Sequence, residues 1–264
     1  MTDSNITTTT TTTYTYYHAG PLFTLADLHT NTLLASRIRS LSANRFTPIL
    51  PQDLEQRDTS PHSIRDHDIK ALLSCDLALF TYDGAELDSG TVVEYMIAKF
   101  ADIPCVILRT DFRNAGDQQA GSGKEGGADA WNLMSSFWPR TVRMVVNSMV
   151  GYKGGLAEGL GREEVSGEQE IENVVNVDVG GGAVAVRAGE RLLEDVARRV
   201  VEAMEEVVRV PRVMPRELRE GVYEWLAIMP GFLSAGAGGE GRGTEGDVRW
   251  MKELLKAKET KGLL

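Results

Sequence analysis

Cysteine, histidine and basic charge are all scarce in this 264-residue sequence. The two cysteines, Cys75 and Cys105, sit inside apolar runs, which reads as two buried free thiols of a cytoplasmic protein rather than a disulfide framework. Four histidines and two cysteines without ligand spacing argue against a structural zinc site, so no metal is expected. Only 28 basic residues stand against 38 acidic ones, a net charge of −10 that speaks against nucleic acid as a partner. No apolar run approaches the roughly 20 residues needed to cross a bilayer, so no membrane association is expected. The opening Met1-Thr2-Asp3-Ser4-Asn5 lacks both the basic and the apolar region of a secretory signal.

What is present alternates between short apolar runs and helical periods. After residues 1–13, which end in the threonine run Thr7 to Thr13 and read as a disordered tail, Tyr14 to Ala19 forms a first strand. Leu25, Leu28, Thr32, Leu33, Ala35, Ile38 and Leu41 follow a 3.6-residue period. Strands are expected at Phe46 to Leu50, 76–82, 104–108 and Arg143 to Val146, with helices over Ser63 to Leu73 and from Ser89 or Gly90 to about Ala101. A β-α-β-α-β-α-β order implies parallel strands joined by helical crossovers, hence a layered α/β domain. Beyond it, 116–128 reads as a polar loop and 151–187 as a Gly-rich acidic insertion with a hairpin over 174–186. Ala188 to Val208 reads as an amphipathic helix that packs back on the sheet. An α/β domain over 14–210 is thus followed by a helical and Gly-rich extension over 211–264. In that extension a helix is expected over 216–227, a linker over 231–247 and a short helix over 248–255.

Three stretches carry chemistry. Tyr16-Tyr17-His18-Ala19-Gly20-Pro21-Leu22-Phe23 lies at the end of the first strand, where parallel sheets bind ligands, and Gly20 permits close approach of a substrate to the backbone. Asp83-Gly84-Ala85-Glu86-Leu87-Asp88-Ser89-Gly90-Thr91-Val92-Val93-Glu94 follows the third strand. Asp88 precedes a helix start, where a carboxylate also serves as a cap. Glu94 lies among apolar neighbours, an environment that raises a carboxylate's pKa and suits nucleophilic or acid–base work. Two carboxylates at this spacing can serve one sugar, one attacking and the other managing a proton. In Asp66-His67-Asp68-Ile69-Lys70, Asp66 and Lys70 read as a solvated helix face.

Tyr16, Ala19-Gly20-Pro21-Leu22-Phe23, Asp68, Asp76, Asp88-Ser89-Gly90-Thr91-Val92-Val93-Glu94 and Asn132-Leu133-Met134 together resemble, in order and spacing, the nucleoside 2-deoxyribosyltransferases across about residues 14–148. The resemblance implies a flavodoxin-like three-layer α/β fold with a parallel sheet of about five strands, here carrying a C-terminal helical extension. It implies transfer of 2-deoxyribose between nucleobases by double displacement, without a cofactor. Glu94 would attack C1′ and form a deoxyribosyl ester, Tyr16 would orient Glu94, and Asp88 would manage the proton of the base. Asp68, Gly20, Phe23 and Gly90 would bind substrate. Asn132 and Met134 would reach the site of a neighbouring subunit, so a homo-oligomer, a dimer or larger, is expected. The partners are then a 2′-deoxynucleoside and a free nucleobase.

The sequence departs from that pattern in length, since the region from about 150 onward is unaccounted for. The polar residue that contacts the base after the second strand is Gln52, Asp53 or Gln56. Two further readings stay open. One is a hydrolase (N-glycosidase) of deoxynucleosides or deoxynucleoside 5′-monophosphates, with Ser89 and Ser135 near a phosphate; the other is a non-catalytic nucleoside-binding protein.

Overall fold

The computed structural model describes residues 12–54, 60–84, 87–111, 133–159, 181–228 and 245–264. Five strands, β1 (Tyr14–Ala19), β2 (Phe46–Ile49), β3 (Leu77–Thr81), β4 (Cys105–Arg109) and β5 (Thr141–Val145), form one sheet in the order β2-β1-β3-β4-β5. Every neighbouring pair is parallel. This is the flavodoxin-like order, in which the chain moves outward from β1 to one edge and from β3 to the other. Near-continuous burial of β1, β3 and β4 follows from helices covering both faces.

Helices α1 (Leu25–Leu41), α4 (Ser148–Gly159) and α5 (Gly181–Val207) belong to one side. There Leu34 and Ile38 of α1 and Val196, Val200 and Met204 of α5 bury Tyr16, Leu77, Leu79, Val106 and Leu108. On the other side stand α2 (Pro61–Ser74), α3 (Ser89–Phe100), α6 (Arg216–Ile228) and α7 (Glu245–Thr260). Their core joins Tyr17, Ala78, Phe80, Cys105 and Ile107 to Leu72, Tyr95, Tyr223 and Met251. Helix starts obey local capping chemistry. Thr24 and Asp27 form a reciprocal capping box on α1, and Ser60 caps α2 with Pro61 in its first turn.

The expected strands and the first three helices appear within two residues of their predicted limits. Helices 188–208 and 216–227 are also present as expected, but two stretches after residue 147 differ. Residues read as the start of a Gly-rich loop continue α4 to Gly159, because Gly151, Gly155 and Gly159 recur every four residues and let α4 approach α5 closely. A Cβ on Gly155 would lie 3.1 Å from Ala188, and one on Gly151 2.7 Å from Leu192. Helix α5 starts at Gly181, so the part of the expected hairpin that is described, 181–186, is helical. The rest of that hairpin, the 116–128 loop, and all but Thr12 and Thr13 of the threonine tail lie outside the described residues, as does 231–244 of the linker.

The extension after residue 210 is built into the core rather than appended to it. Tyr223 donates a hydrogen bond to the Ala101 carbonyl at 2.9 Å, and Asp102 accepts from the Val213 and Met214 amides. Lys258, fully buried, donates to the Cys75 carbonyl, and Lys261 lies 2.6 Å from Asp76. Lys70, expected to be solvated, sits over the Trp250 ring of α7. Asp66, also expected on a solvated face, is buried and paired with Arg65 at 2.6 Å. Both cysteines are free and buried. Among the described residues no helix is long and apolar enough to cross a membrane.

Candidate active site

The topology divides between β1 and β3, and open parallel sheets bind ligands beyond the C-terminal ends of the strands at such a point. Gly20 ends β1 directly against Thr81 of β3, and a Cβ there would fall 2.9 Å from the Thr81 Cβ, so only glycine fits. Pro21 follows, its carbonyl held at 3.0 Å by the side chain of Asn31. Gln52, one of three candidates for contacting a base, points its amide to the Leu28 carbonyl and Thr32 instead. Asp53 is exposed, and Gln56 lies outside the described residues.

The central contact is between β1 and α3: the Tyr17 hydroxyl donates to Glu94 Oε1 at 2.7 Å. Such a short bond to a carboxylate is the strong, charge-assisted kind. It corrects the expectation that Tyr16 orients Glu94. Side chains alternate across a strand, and Tyr16 points to the α1/α5 side, where its hydroxyl lies 3.5 Å from His18 Nδ1. The sequence offered adjacent tyrosines, and the sheet face shared with α3 selects the second. That face was the signal missed: Tyr17 is in phase with Ala19, which packs in the same core as α3.

Glu94 is half-buried, and its pKa is pushed up to about 7. Loss of hydration is the largest cause. The Tyr17 hydrogen bond opposes it, while the negative charges of Asp68 and Asp88 add to it. Asp68, on α2, is raised to about 6, again chiefly by desolvation, with nearby His67 acting the other way. The structure therefore brings Tyr17, Asp68, Asp88 and Glu94 into one electrostatic neighbourhood. Asp88 is also the cap of α3: its Oδ2 accepts from the Thr91 amide and hydroxyl, both at 2.7 Å. Gly90 keeps this carboxylate uncrowded, since a Cβ there would lie 3.2 Å from Asp88 Oδ2.

Phe23 and Met134 are each 75% exposed. Asn132 lies outside the described residues, while Ser135 is buried under the Tyr82 hydroxyl at 3.4 Å. Ser89 is exposed in the first turn of α3. No group of three or more His, Cys, Asp or Glu among the described residues is placed to hold a metal ion. Chemically, the arrangement offers a poorly hydrated carboxylate fixed by a phenol, with two further carboxylates around it.

Comparison with known proteins gives the context. Residues 16–154 match the family model described as nucleoside 2-deoxyribosyltransferase. No curated protein matches. Among solved structures, a conserved protein from Enterococcus faecalis V583 is 33% identical, covering 40% of this chain and 69% of its own, with a TM-score of 0.36. A 2-deoxyribosyltransferase from Bacillus psychrosaccharolyticus is 18% identical (37% and 73% covered, TM-score 0.31). Another from Leishmania mexicana is 21% identical (48% and 89% covered, TM-score 0.36).

Proposed function

The chain belongs to the nucleoside 2-deoxyribosyltransferase family, and from that premise we propose that it moves 2-deoxyribose between nucleobases through a covalent deoxyribosyl ester on Glu94. The hydrogen bond from Tyr17 to Glu94 Oε1 carries this reading. It fixes one carboxylate oxygen and leaves Oε2 to attack C1′. As the C1′–Oε2 bond forms, the C1′–N bond breaks and its electron pair passes to the departing base, which takes a proton from Asp88. In the second half the ring nitrogen of an incoming base attacks C1′, gives its proton to Asp88, and Glu94 leaves as a carboxylate. The oxocarbenium-like transition state is stabilised by the negative charge of a poorly hydrated carboxylate. A carboxylate with a raised pKa is also the stronger nucleophile. Asp68 holds the substrate beside it, with Gly20 and Gly90 lining the crevice.

Met134, exposed in the single chain, fits the role that the resemblance gives it and Asn132 in completing the site of a second copy, so the active unit is a homo-oligomer. The reaction needs no cofactor, and the setting is cytoplasmic nucleoside salvage.

A base-exchange assay tests the reading, with deoxyinosine or thymidine as donor and adenine or cytosine as acceptor. A new deoxynucleoside, absent with Glu94→Ala, is the expected result. Free base and free deoxyribose without exchange would instead establish the hydrolase. Inertness toward several nucleosides and their 5′-monophosphates would leave a binding protein.

A further inference from the structure

Asp83 stands at the end of β3 and makes three short hydrogen bonds to the end of β4. Its Oδ1 accepts from the Thr110 amide at 2.6 Å and the Asp111 amide at 3.0 Å, and its Oδ2 accepts from the Thr110 hydroxyl at 2.6 Å. The register pairs Thr81 with Leu108, so this clasp closes the ladder where backbone pairing of β3 with β4 runs out. The next residue, Gly84, has φ of 111°, a conformation open to glycine and strained for other residues. Four residues further on, Asp88 caps α3, and Glu94 follows within the same helix. Tyr82, immediately before the clasp, packs edge-on against Tyr95, the neighbour of Glu94.

We propose that Asp83 is a positioning residue of the active site: its clasp on Thr110 and Asp111 fixes the end of β3, and with it Tyr82, whose packing on Tyr95 of α3 sets the placement of Asp88 and Glu94. This rests on the functional reading above. A carboxylate with three donors is held by geometry on both oxygens, so the strand ends cannot slide past one another. Helix α3, capped by Asp88 five residues beyond Asp83 and touched by Tyr82 through Tyr95, inherits that fixed origin. The pairing of the Asp83 carboxylate with amides and a hydroxyl makes the asparagine replacement a sharp probe. Asparagine keeps an oxygen for the two amides and offers an N–H to the Thr110 hydroxyl, but carries no charge.

The test compares Asp83→Ala with Asp83→Asn in base exchange and in the titration of Glu94, followed by carbon-13 NMR of labelled glutamate carboxyls with Glu94→Gln for assignment. For Asp83→Ala, kcat is expected to fall about 10- to 100-fold, the scale of a misplacement near 1 Å. Its KM should stay within about threefold and the Glu94 midpoint should move. For Asp83→Asn, both quantities should stay close to wild type. Lys261→Met, which loosens the opposite end of the sheet, should lower the melting temperature without moving the midpoint.

An unmoved midpoint in Asp83→Ala, or an asparagine variant as damaged as the alanine one, overturns the proposal. If Asp83→Ala does not fold, Thr110→Val, which removes one donor at nearly constant shape, takes its place under the same criterion. If wild type exchanges no base, the functional reading fails, while the midpoint comparison still decides the role of Asp83.

Discussion

Asp76 and Asp102, at the N-terminal end of the sheet, are matched with cations, whereas Glu94, Asp88 and Asp83, at its C-terminal end, are held by hydroxyls and amides. Asp76, before β3, holds Lys261 and the Thr15 amide and hydroxyl; Asp102, before β4, holds Arg140 and two amides. Both are buried. At the opposite end Glu94 takes a phenol, Asp88 a threonine and Asp83 another threonine and two amides. One sheet thus treats one functional group in two ways. Matched charges suit an end that only has to stay folded. Unmatched ones keep a carboxylate reactive at a cost in stability, and such costs cluster where chemistry occurs. The C-terminal helices serve the first purpose, since α7 and the residues after it deliver both Lys258 and Lys261 to the N-terminal end of the sheet.

The contrast breaks most directly at Glu94. Glu94→Gln should abolish exchange, by about a thousandfold or more as nucleophile loss generally does, while the melting temperature stays level or rises. The pH dependence has a definite sign. With a folded value near 7, above that of an unfolded glutamate, the native chain binds more protons between about pH 4.5 and 7. Stability from this residue therefore falls as pH rises through that window, while the attacking carboxylate is being formed. Urea melts and kcat profiles over pH 4.5–8 should run in opposite directions, and Glu94→Gln should flatten the first.

Tyr17→Phe is the next largest effect, lowering kcat about 10- to 100-fold and moving the acidic limb upward, because the bond that favours the charged form is gone. Tyr16→Phe, on the far face, should stay within about threefold. Equal losses in the two variants would undo the assignment of Tyr17.

At the matched end the same kind of deletion should read out as stability. Lys261→Met removes the ion pair of Asp76, which keeps the Thr15 amide and hydroxyl and the nearby charge of Lys258, and about 1–3 kcal/mol is expected in denaturant melts, the lysine being partly exposed. Exchange per folded molecule should be unchanged. The smallest effect belongs to Lys258, whose pKa is lowered to about 8 by burial, with Asp76 opposing. The unfolded chain binds that proton more tightly, so stability rises with pH from about 8 to 10.5, and Lys258→Met should remove this rise.

The sheet and its first three helices were legible because apolar runs and 3.6-residue periods coincide there with caps at Thr24, Ser60 and Asp88. The site was legible as a motif, yet the choice between Tyr16 and Tyr17 depends on which face of β1 meets α3, a tertiary fact. Asp88 illustrates a second limit, for capping and proton transfer make the same demand on sequence, and the structure shows the cap directly. Helix α4 and the first turns of α5 were harder, because glycines that signal loops in isolation here make room for a neighbour.

That glycine spacing sets the order in which the molecule comes apart. Each glycine within a helix costs about 1 kcal/mol relative to alanine, and α4 buries none of its own residues. Its helicity is therefore borrowed from α5: the two form one cooperative unit in which α4 has no fold of its own to fall back on. Any loosening of α5 is felt first as melting of α4. The family match runs to residue 154, inside this helix, so a chain cut at that point would end in a segment separated from the element that makes it helical.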